Sequence, residues 1–228
     1  MMMTVIIDVN GLIMSVIYQW YSADLPQAGH PETRVMKVTK QQAQANRARI
    51  VETASTLFRE RGYDGVGVAD LMAAAGFTHG GFYKHFGSKT DLMAEAAACG
   101  LARSADAAMS GDPADFMSYY ISREHRDNPG SGCTMAALCA DAARQPESVK
   151  AAFAAGIEHQ LSAPARQEQA PGDNESDEAR ARRIVLMAQA VGAVVLSRSC
   201  PDDSPLADEI LEVCRAHVLA RLPTERPA

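Results

Sequence analysis

The 228-residue sequence has few aromatic side chains and no long uninterrupted apolar run. Aromatic residues make up 6% of the chain, whereas alanine and leucine are abundant, which favours helices over strands. The most apolar stretch, VIIDVNGLIMSVIYQWY, is interrupted by Asp8 and Asn10, and no Lys or Arg precedes it. It is too short and too broken to span a bilayer, and it lacks the basic start of a secretory signal. The sequence therefore predicts a helical, cytoplasmic protein with no membrane partner.

Residues 1–36 are predicted to form an N-terminal extension. The apolar stretch is followed by SADLPQAGHPETR, which is polar and rich in residues that break helices. Two interpretations are open. The segment is either a poorly ordered or mis-started extension, with Met36 as the true first residue, or an arm that binds a partner.

The five cysteines form no pattern typical of a disulfide framework or a zinc site. Their number is odd and no Cys-x-x-Cys occurs. Glu124, His125 and Asp127 also fit no compact metal site. We therefore expect reduced thiols and predict neither a metal nor another cofactor. Cys133 and Cys139 are close in sequence, which leaves open a cysteine-based sensor of redox state or electrophiles.

The net charge of −6 is unevenly distributed along the chain. Between Lys37 and Lys89 there are eight basic and four acidic side chains, whereas the part after Lys89 carries a net charge of −8. A basic block joined to an acidic block indicates two parts with different partners. We place the first at residues 37–104 and the second at residues 105–228.

The basic part predicts three helices. The first begins after Thr39, ends at Gly62 and carries one apolar stripe. That stripe is Ile50, Val51, Ala54, Leu57 and Phe58. Two shorter helices, at about 68–75 and 78–86, are joined by a turn at Gly76, which gives a helix-turn-helix at about 67–86.

The second short helix has the features of a helix that reads DNA. Phe82 and Phe86 lie one turn apart and are expected to anchor it against its neighbours. The opposite side has no aliphatic residue and carries His79, Gly80, Tyr83 and Lys84. The major groove admits one helix, whose N-terminal residues contact base edges.

These segments resemble the DNA-binding domain of the TetR family of bacterial transcriptional regulators. The resemblance covers about residues 44–104 and rests on the run Ile50–Phe58, Gly62-Tyr63, AAAGFTHGGFYKHFGSKTDL and the long helix after it. It implies an all-α homodimer with an N-terminal three-helix DNA-binding domain. It also implies a C-terminal helical domain that holds a small-molecule ligand and the dimer face.

The resemblance also implies roles for individual residues. Thr78 is expected to cap the recognition helix, Tyr83, His85 and Lys89 to contact phosphates, and His79, Gly80 and Lys84 to face bases or backbone. Two arginines of the first helix are candidates for the flanking DNA backbone. The predicted DNA-contacting set is Arg47, Arg49, Thr78, His79, Gly80, Tyr83, Lys84, His85 and Lys89.

The acidic part predicts helices at about 113–126, 132–144, 146–161, 176–199 and 204–221. The resemblance implies that the last two form the dimer interface; packing within one chain is the alternative. A ligand cavity is expected among the middle helices, because apolar bulk with a few polar tips is typical of such cavities; core packing is the alternative for each residue. The candidates are Met117, Tyr120, Met135, Cys139, Phe153, His159 and Met187.

The predicted function is that of a regulator, and most simply of a repressor. The dimer would hold a palindromic operator in double-stranded DNA, and a small-molecule inducer would release it. The long helix that starts at Lys89 is expected to transmit the change, with Gly100 and its alanines letting it slide or tilt. The alternative outside this class is a helical small-molecule-binding protein or enzyme. Against an enzyme, no nucleophile–base pair or acid pair lies at useful spacing.

Overall fold

The computed structural model describes residues 39–162 and 177–222. Within these two ranges every regular element is a helix and no strand occurs, which confirms the all-α prediction. No helix in the described ranges is long and apolar enough to cross a membrane. The predictions for residues 1–36 lie outside the described residues.

The described part of the chain contains nine α-helices and one 3-10 helix. In order they are α1 (Lys40–Arg61), α2 (Val68–Ala74), the 3-10 helix (His79–Lys84), α3 (Lys89–Met109), α4 (Pro113–Tyr120), α5 (Arg123–Asp127), α6 (Thr134–Ala142), α7 (Glu147–Ser162), α8 (Asp177–Arg198) and α9 (Pro205–Leu219).

Side-chain caps set where several helices begin. The Thr39 hydroxyl accepts a hydrogen bond from the Gln42 amide at 3.1 Å, and the Ser88 hydroxyl accepts one from the Asp91 amide at 3.1 Å. These bonds satisfy amides that have no partner inside the helix. At the other end of α1, Gly62 has φ 71°, a left-handed conformation that glycine adopts without strain.

The N-terminal helices share one apolar core. α1 packs against α3, and α2 packs against the 3-10 helix. Phe58 and Tyr63 meet edge to face with ring centroids 5.0 Å apart, and both are buried. Tyr63 is therefore part of the core that these helices share. The other large buried side chains of this core are Ile50, Leu71, Met72, Phe82 and Leu92.

The rest of the molecule is arranged around α3. This helix packs along α7, and α8 packs against α9. Buried arginines join α5 to the end of α8. The Arg126 guanidinium donates to the Ser197 carbonyl at 3.2 Å, and Arg198 Nε donates to the Arg126 carbonyl at 2.8 Å. One acceptor lies in the last turn of α8 and the other in α5, so the two arginines tie these helix ends together.

Two predicted helices differ in the structure. The helix predicted at 113–126 is divided, because Ile121 leaves helical geometry at φ −99° and ψ 55°. The Ser122 hydroxyl then accepts from the His125 amide at 3.2 Å and starts a new helix. The recognition helix is a 3-10 helix, in which the Gly81 amide donates to the Thr78 carbonyl three residues back at 2.9 Å. Adjacent glycines have low α-helix propensity, which favours this tighter turn.

Candidate DNA-binding surface and junction cavity

The recognition helix is anchored on one side and open on the other. Phe82 is 1% exposed and Phe86 3% exposed, and their rings stack with centroids 5.5 Å apart. Tyr83 is 70% exposed on the opposite side. His79, Gly80 and Lys84 are exposed there too. The predicted anchoring by the two phenylalanines is confirmed, and the polar residues predicted to face DNA lie together on one open surface.

Gly80 is a glycine that the protein's own packing does not require. A Cβ at this position would meet nothing within 4 Å, and its φ is not positive. Thr78 occupies the N-cap position, but its side chain makes no capping hydrogen bond. The prediction that the Thr78 hydroxyl caps this helix is therefore wrong, which leaves the exposed hydroxyl free of that helix's amides.

Arg47 is engaged within the protein. Its guanidinium donates to the His85 carbonyl at the end of the recognition helix and to Glu95 on α3. It also lies over the Phe86 ring, 4.3 Å from the centroid. These contacts hold the recognition helix between α1 and α3.

The other predicted cations flank the turn. Lys89 Nζ donates to the Tyr63 carbonyl at 2.6 Å, which uses one of the three ammonium hydrogens. The Arg49 side chain is exposed and its guanidinium carbon lies 5.8 Å from the Phe77 ring centroid. The half-buried His85 ring is tilted against Phe77 at 6.3 Å. Lys89 therefore points to the end of α1, whereas Arg49 lies beside the turn at Gly76, and each cation keeps N–H donors that are not used in these contacts.

Comparisons with known proteins agree with this geometry. Residues 50–96 match the family described as bacterial regulatory proteins, tetR family. The transcriptional regulator AcrR of Shigella flexneri is 40% identical over 57 residues, which are 25% of this chain and 26% of AcrR. This segment is therefore similar to the DNA-binding part of TetR-family regulators. TtgR of Pseudomonas putida is 39% identical over 59 residues, 26% of this chain and 28% of TtgR. The chain thus aligns with about a quarter of the length of these curated relatives.

Solved TetR-type structures extend the likeness in fold beyond the DNA-binding domain. A TetR transcriptional regulator from Chloroflexus aurantiacus matches with a TM-score of 0.53 and 25% identity, over 79% of this chain and 95% of that one. The reduced form of NemR from Escherichia coli matches with a TM-score of 0.54 and 23% identity, over 76% and 95%. The second likeness shows the fold alone. The C-terminal helices of this chain therefore have the arrangement found in TetR-type proteins.

The residues predicted to line a ligand pocket are dispersed. Tyr120 lines a cavity of about 150 Å³ where α1, α3, α4 and α5 meet, here called the junction cavity. His159 is exposed on α7. The remaining five belong to the hydrophobic core or pack against it, namely Met117, Met135, Cys139, Phe153 and Met187. Apolar residues at helical spacing do not reveal from sequence which of them face a cavity.

Sequence reasoning missed Arg59, which lines the junction cavity from α1. Its side chain is buried at 4% exposure. A signal was present, because Ser55 and Arg59 lie at i and i+4 beside Ala54 and Phe58, so a polar pair borders the apolar stripe. That position indicates a side chain at the border of the core, but not the contact with Gly130 that it makes.

The cysteines give little support to a redox sensor. All five lie in the described ranges and none forms a disulfide. Cys133 is 6% exposed. Burial, together with the neighbouring Cys133, raises the pKa of Cys139 to about 11. Because the thiolate is the reactive form, Cys139 is held as an unreactive thiol at neutral pH.

Proposed function

We propose that this chain is a TetR-family transcriptional regulator that binds a palindromic operator as a homodimer and is released by a small molecule. The observation that carries the proposal is the exposed Tyr83 on a helix held from behind by Phe82 and Phe86. The Tyr83 ring contacts Phe82 edge to face, with centroids 5.2 Å apart, and leaves most of its surface to solvent. A large aromatic side chain left open among polar residues supports a role in contact with DNA.

The surface combines groups for positioning with groups for reading sequence. The hydroxyl of Tyr83 and the ammonium of Lys89 suit phosphate oxygens, which fix register but carry no sequence information. Lys84 and His79 are longer polar side chains at the open face and suit base edges. Gly80 allows the backbone to approach the DNA closely.

The dimer is supported by an apolar face on α8 and α9. Large apolar side chains recur there at helical spacing and stay exposed in the single chain. They are Ile184, Val185, Val195, Leu196, Leu206 and Val213. A contiguous exposed patch of this kind marks an interaction surface. A twofold axis through it would present two recognition helices to two half-sites.

Release by a ligand is supported by the position of the junction cavity. Its walls come from α1, which belongs to the DNA-binding domain, and from α3 to α5. A molecule that binds there more tightly in one arrangement of these helices than in another shifts the balance between them. In the simplest case the chain without ligand holds its operator and represses transcription, and the ligand-induced shift releases it.

The test measures the affinity of the full chain for the DNA upstream of its own gene. Fluorescence anisotropy of the labelled DNA gives this affinity at several salt concentrations. We expect Lys89→Ala to weaken binding on all sequences and to lower the salt slope by about one. Tyr83→Ala should weaken binding on all sequences, and Lys84→Ala should change base preference.

Lys150→Ala, an exposed lysine on α7, is the matched control. Wild-type affinity in all three variants would refute the proposed surface, and no DNA binding would favour a helical small-molecule-binding protein or enzyme.

A further inference from the structure

Arg59 is a buried cation that pairs with no carboxylate of the described residues. Its Nε and Nη2 donate to the Gly130 carbonyl at 3.0 and 2.5 Å, and Nη1 donates to the Ser55 hydroxyl at 2.6 Å. All these acceptors are neutral. Burial lowers the pKa of Arg59 from its ordinary value. A buried charge is costly unless an opposite charge accompanies it, so the environment of Arg59 lacks an anion.

The junction cavity beside Arg59 has a matching composition. Its lining includes a second guanidinium, that of Arg103, and no Asp or Glu. Phe116, Tyr119 and Tyr120 supply an aromatic wall. A cavity with two cations, no carboxylate and an aromatic side suits an anion that carries an apolar body.

A hydroxyl in the cavity wall also lacks a partner. The buried Tyr120 hydroxyl makes no hydrogen bond. The Cys133 thiol lies beside it, but a thiol is a weak acceptor and the two are not in hydrogen-bonding geometry. A buried hydroxyl without a partner is unfavourable, and a ligand oxygen would satisfy it.

The cavity adjoins a wider groove. That groove, of about 550 Å³, lies between α1, α3 and the segment 127–131. Arg103 and Ser131 line both spaces, so the two spaces are neighbours at these residues. Since Arg103 is about half exposed and its carboxylate partner Glu52 is 3.8 Å away, its guanidinium is able to turn towards an entering anion.

We propose that the junction cavity binds a small organic monocarboxylate with an apolar body, about the size of benzoate. Its carboxylate accepts hydrogen bonds from Arg59 and the Tyr120 hydroxyl, and its apolar body packs on the aromatic wall. A cavity of about 150 Å³ suits this size, since an apolar cavity of that volume accommodates benzene. Gly130, Ser55 and Thr56 occupy four of the five Arg59 N–H donors, so one hydrogen on Nη1 remains for a charge-assisted hydrogen bond to the carboxylate.

The same helix connects this site to the DNA-binding surface. Arg59 and Arg47 are both on α1, about 18 Å apart along the helix at 1.5 Å per residue. Arg47 holds the end of the recognition helix through the His85 carbonyl. An anion that redirects Arg59 therefore acts on the helix that positions the recognition helix. This consequence rests on the proposed function, whereas binding of the carboxylate does not.

Calorimetric titration of the full chain without DNA tests the site. The probes are benzoate, its neutral isostere benzamide, and acetate, which has the charge without the apolar body. We expect one benzoate per chain, bound at least about tenfold more tightly than benzamide or acetate. Equal affinity for benzoate and benzamide, equal affinity for benzoate and acetate, or no benzoate binding up to about 10 mM, the weakest range worth calling specific, would overturn the proposal.

Variants assign the contacts. Tyr120→Phe removes the unpartnered hydroxyl and keeps the ring, so benzoate affinity should fall at least about fivefold, as for one lost hydrogen bond, with Tm unchanged or higher. Arg59→Lys keeps the charge and loses the planar fork, and it should also weaken benzoate. Arg61→Gln, on the exposed side of α1, is the matched control and should bind as wild type. Wild-type affinity in Tyr120→Phe and Arg59→Lys would overturn the assignment.

The same titration repeated on the DNA complex separates the two proposals. If benzoate binds and lowers operator affinity, both stand. If benzoate binds with operator affinity unchanged, the link through α1 is overturned. If the chain binds no DNA while benzoate binds as expected, only the proposed function fails.

Discussion

Gly100 lies where α3 passes both α1 and the start of α6. A Cβ at this position would overlap the Thr134 hydroxyl and lie 2.8 Å from the Ser55 hydroxyl. The sequence predicts a residue that lets the helix slide, whereas the structure shows a position of close approach. We expect Gly100→Ala to lower the free energy of unfolding by about 1–3 kcal/mol through overpacking, measured by urea denaturation.

The control for this prediction is Gly80→Ala. A Cβ at Gly80 meets no atom within 4 Å, so the same substitution there should leave stability unchanged or raise it by up to about 1 kcal/mol. If Gly100→Ala is instead as stable as wild type or more stable, like Gly80→Ala, helix propensity outweighs the contact at Thr134 and the overpacking prediction is wrong.

His125 is held as a neutral imidazole by its two hydrogen bonds. Nδ1 lies 2.7 Å from the Tyr120 carbonyl and so carries the proton, and Nε2 accepts from the Cys133 amide at 3.0 Å. Burial lowers the pKa of His125 below its ordinary value of 6.5; the Tyr120 carbonyl offsets part of this, and the Arg198 guanidinium adds to it. The unfolded chain therefore takes up this proton at higher pH than the folded chain does.

It follows that acid destabilises the fold at this residue. Neutral His125 makes its full contribution to the free energy of unfolding above the unfolded pKa of about 6.5. That contribution is lost as the pH falls towards the lower folded pKa, by at most about 1.4 kcal/mol per pH unit. We expect urea unfolding between pH 7.5 and 5.5 to show a smaller pH slope in His125→Gln than in wild type. The exposed His159→Gln should keep the wild-type slope; an unchanged slope in His125→Gln would contradict the assignment.

At the scale of elements, the contact between α1 and the recognition helix decides how firmly that helix is held. Arg47 connects the His85 carbonyl, Glu95 and the Phe86 ring. We expect Arg47→Ala to lower thermal stability and to weaken operator binding on every sequence. Because the guanidinium is already occupied inside the protein, the salt slope should stay as in wild type.

The salt slope of DNA binding distinguishes two roles of Arg47, holding the recognition helix in place and contacting a DNA phosphate. A slope lower by about one unit would show instead that Arg47 neutralises a phosphate, as the resemblance implies. Ala48 is exposed beside it on α1, so Ala48→Ser serves as a control that leaves the three partners of Arg47 untouched.

Helix boundaries were predictable from the sequence where residues that are neighbours in the chain determine them. The predicted helix starts after Thr39, at Lys89 and at about residue 113 are confirmed by the structure, because helix capping depends on nearest neighbours in the chain. The division at Ile121 did not follow, because it depends on the His125 amide turning to Ser122 while the ring is tied to Tyr120 and Cys133. Those partners come together only in the folded chain.

The recognition-helix surface and the junction cavity also differ in how far the sequence predicts them. The open and buried sides of the recognition helix were predictable, since periodicity separates Phe82 and Phe86 from Tyr83. The junction cavity was not, because Arg59 of α1 reaches Gly130, seventy-one residues later in the chain. No local pattern in either segment indicates that contact, and so the predicted pocket residues, chosen for apolar character, largely belong to the core.

At the scale of the whole molecule, the apolar face of α8 and α9 should govern assembly. Val213 is 60% exposed in the single chain, and Val185 on α8 is equally exposed. Because both protomers of a twofold dimer carry the same substitution, a single change introduces two charges into the interface. An unpaired buried charge costs several kcal/mol, so Val213→Asp should raise the dimer dissociation constant at least about 100-fold.

Sedimentation equilibrium measures this directly, and circular dichroism should show unchanged helix content because Val213 makes little contact within its own chain. Ala151→Asp, an exposed position on α7, is the control and should remain dimeric. Operator binding should fall with dimerisation, because a single recognition helix engages one half-site and loses the gain from binding two at once. A wild-type chain that sediments as a monomer, or a Val213→Asp variant that stays dimeric at the same concentrations, would place the interface elsewhere on the molecule.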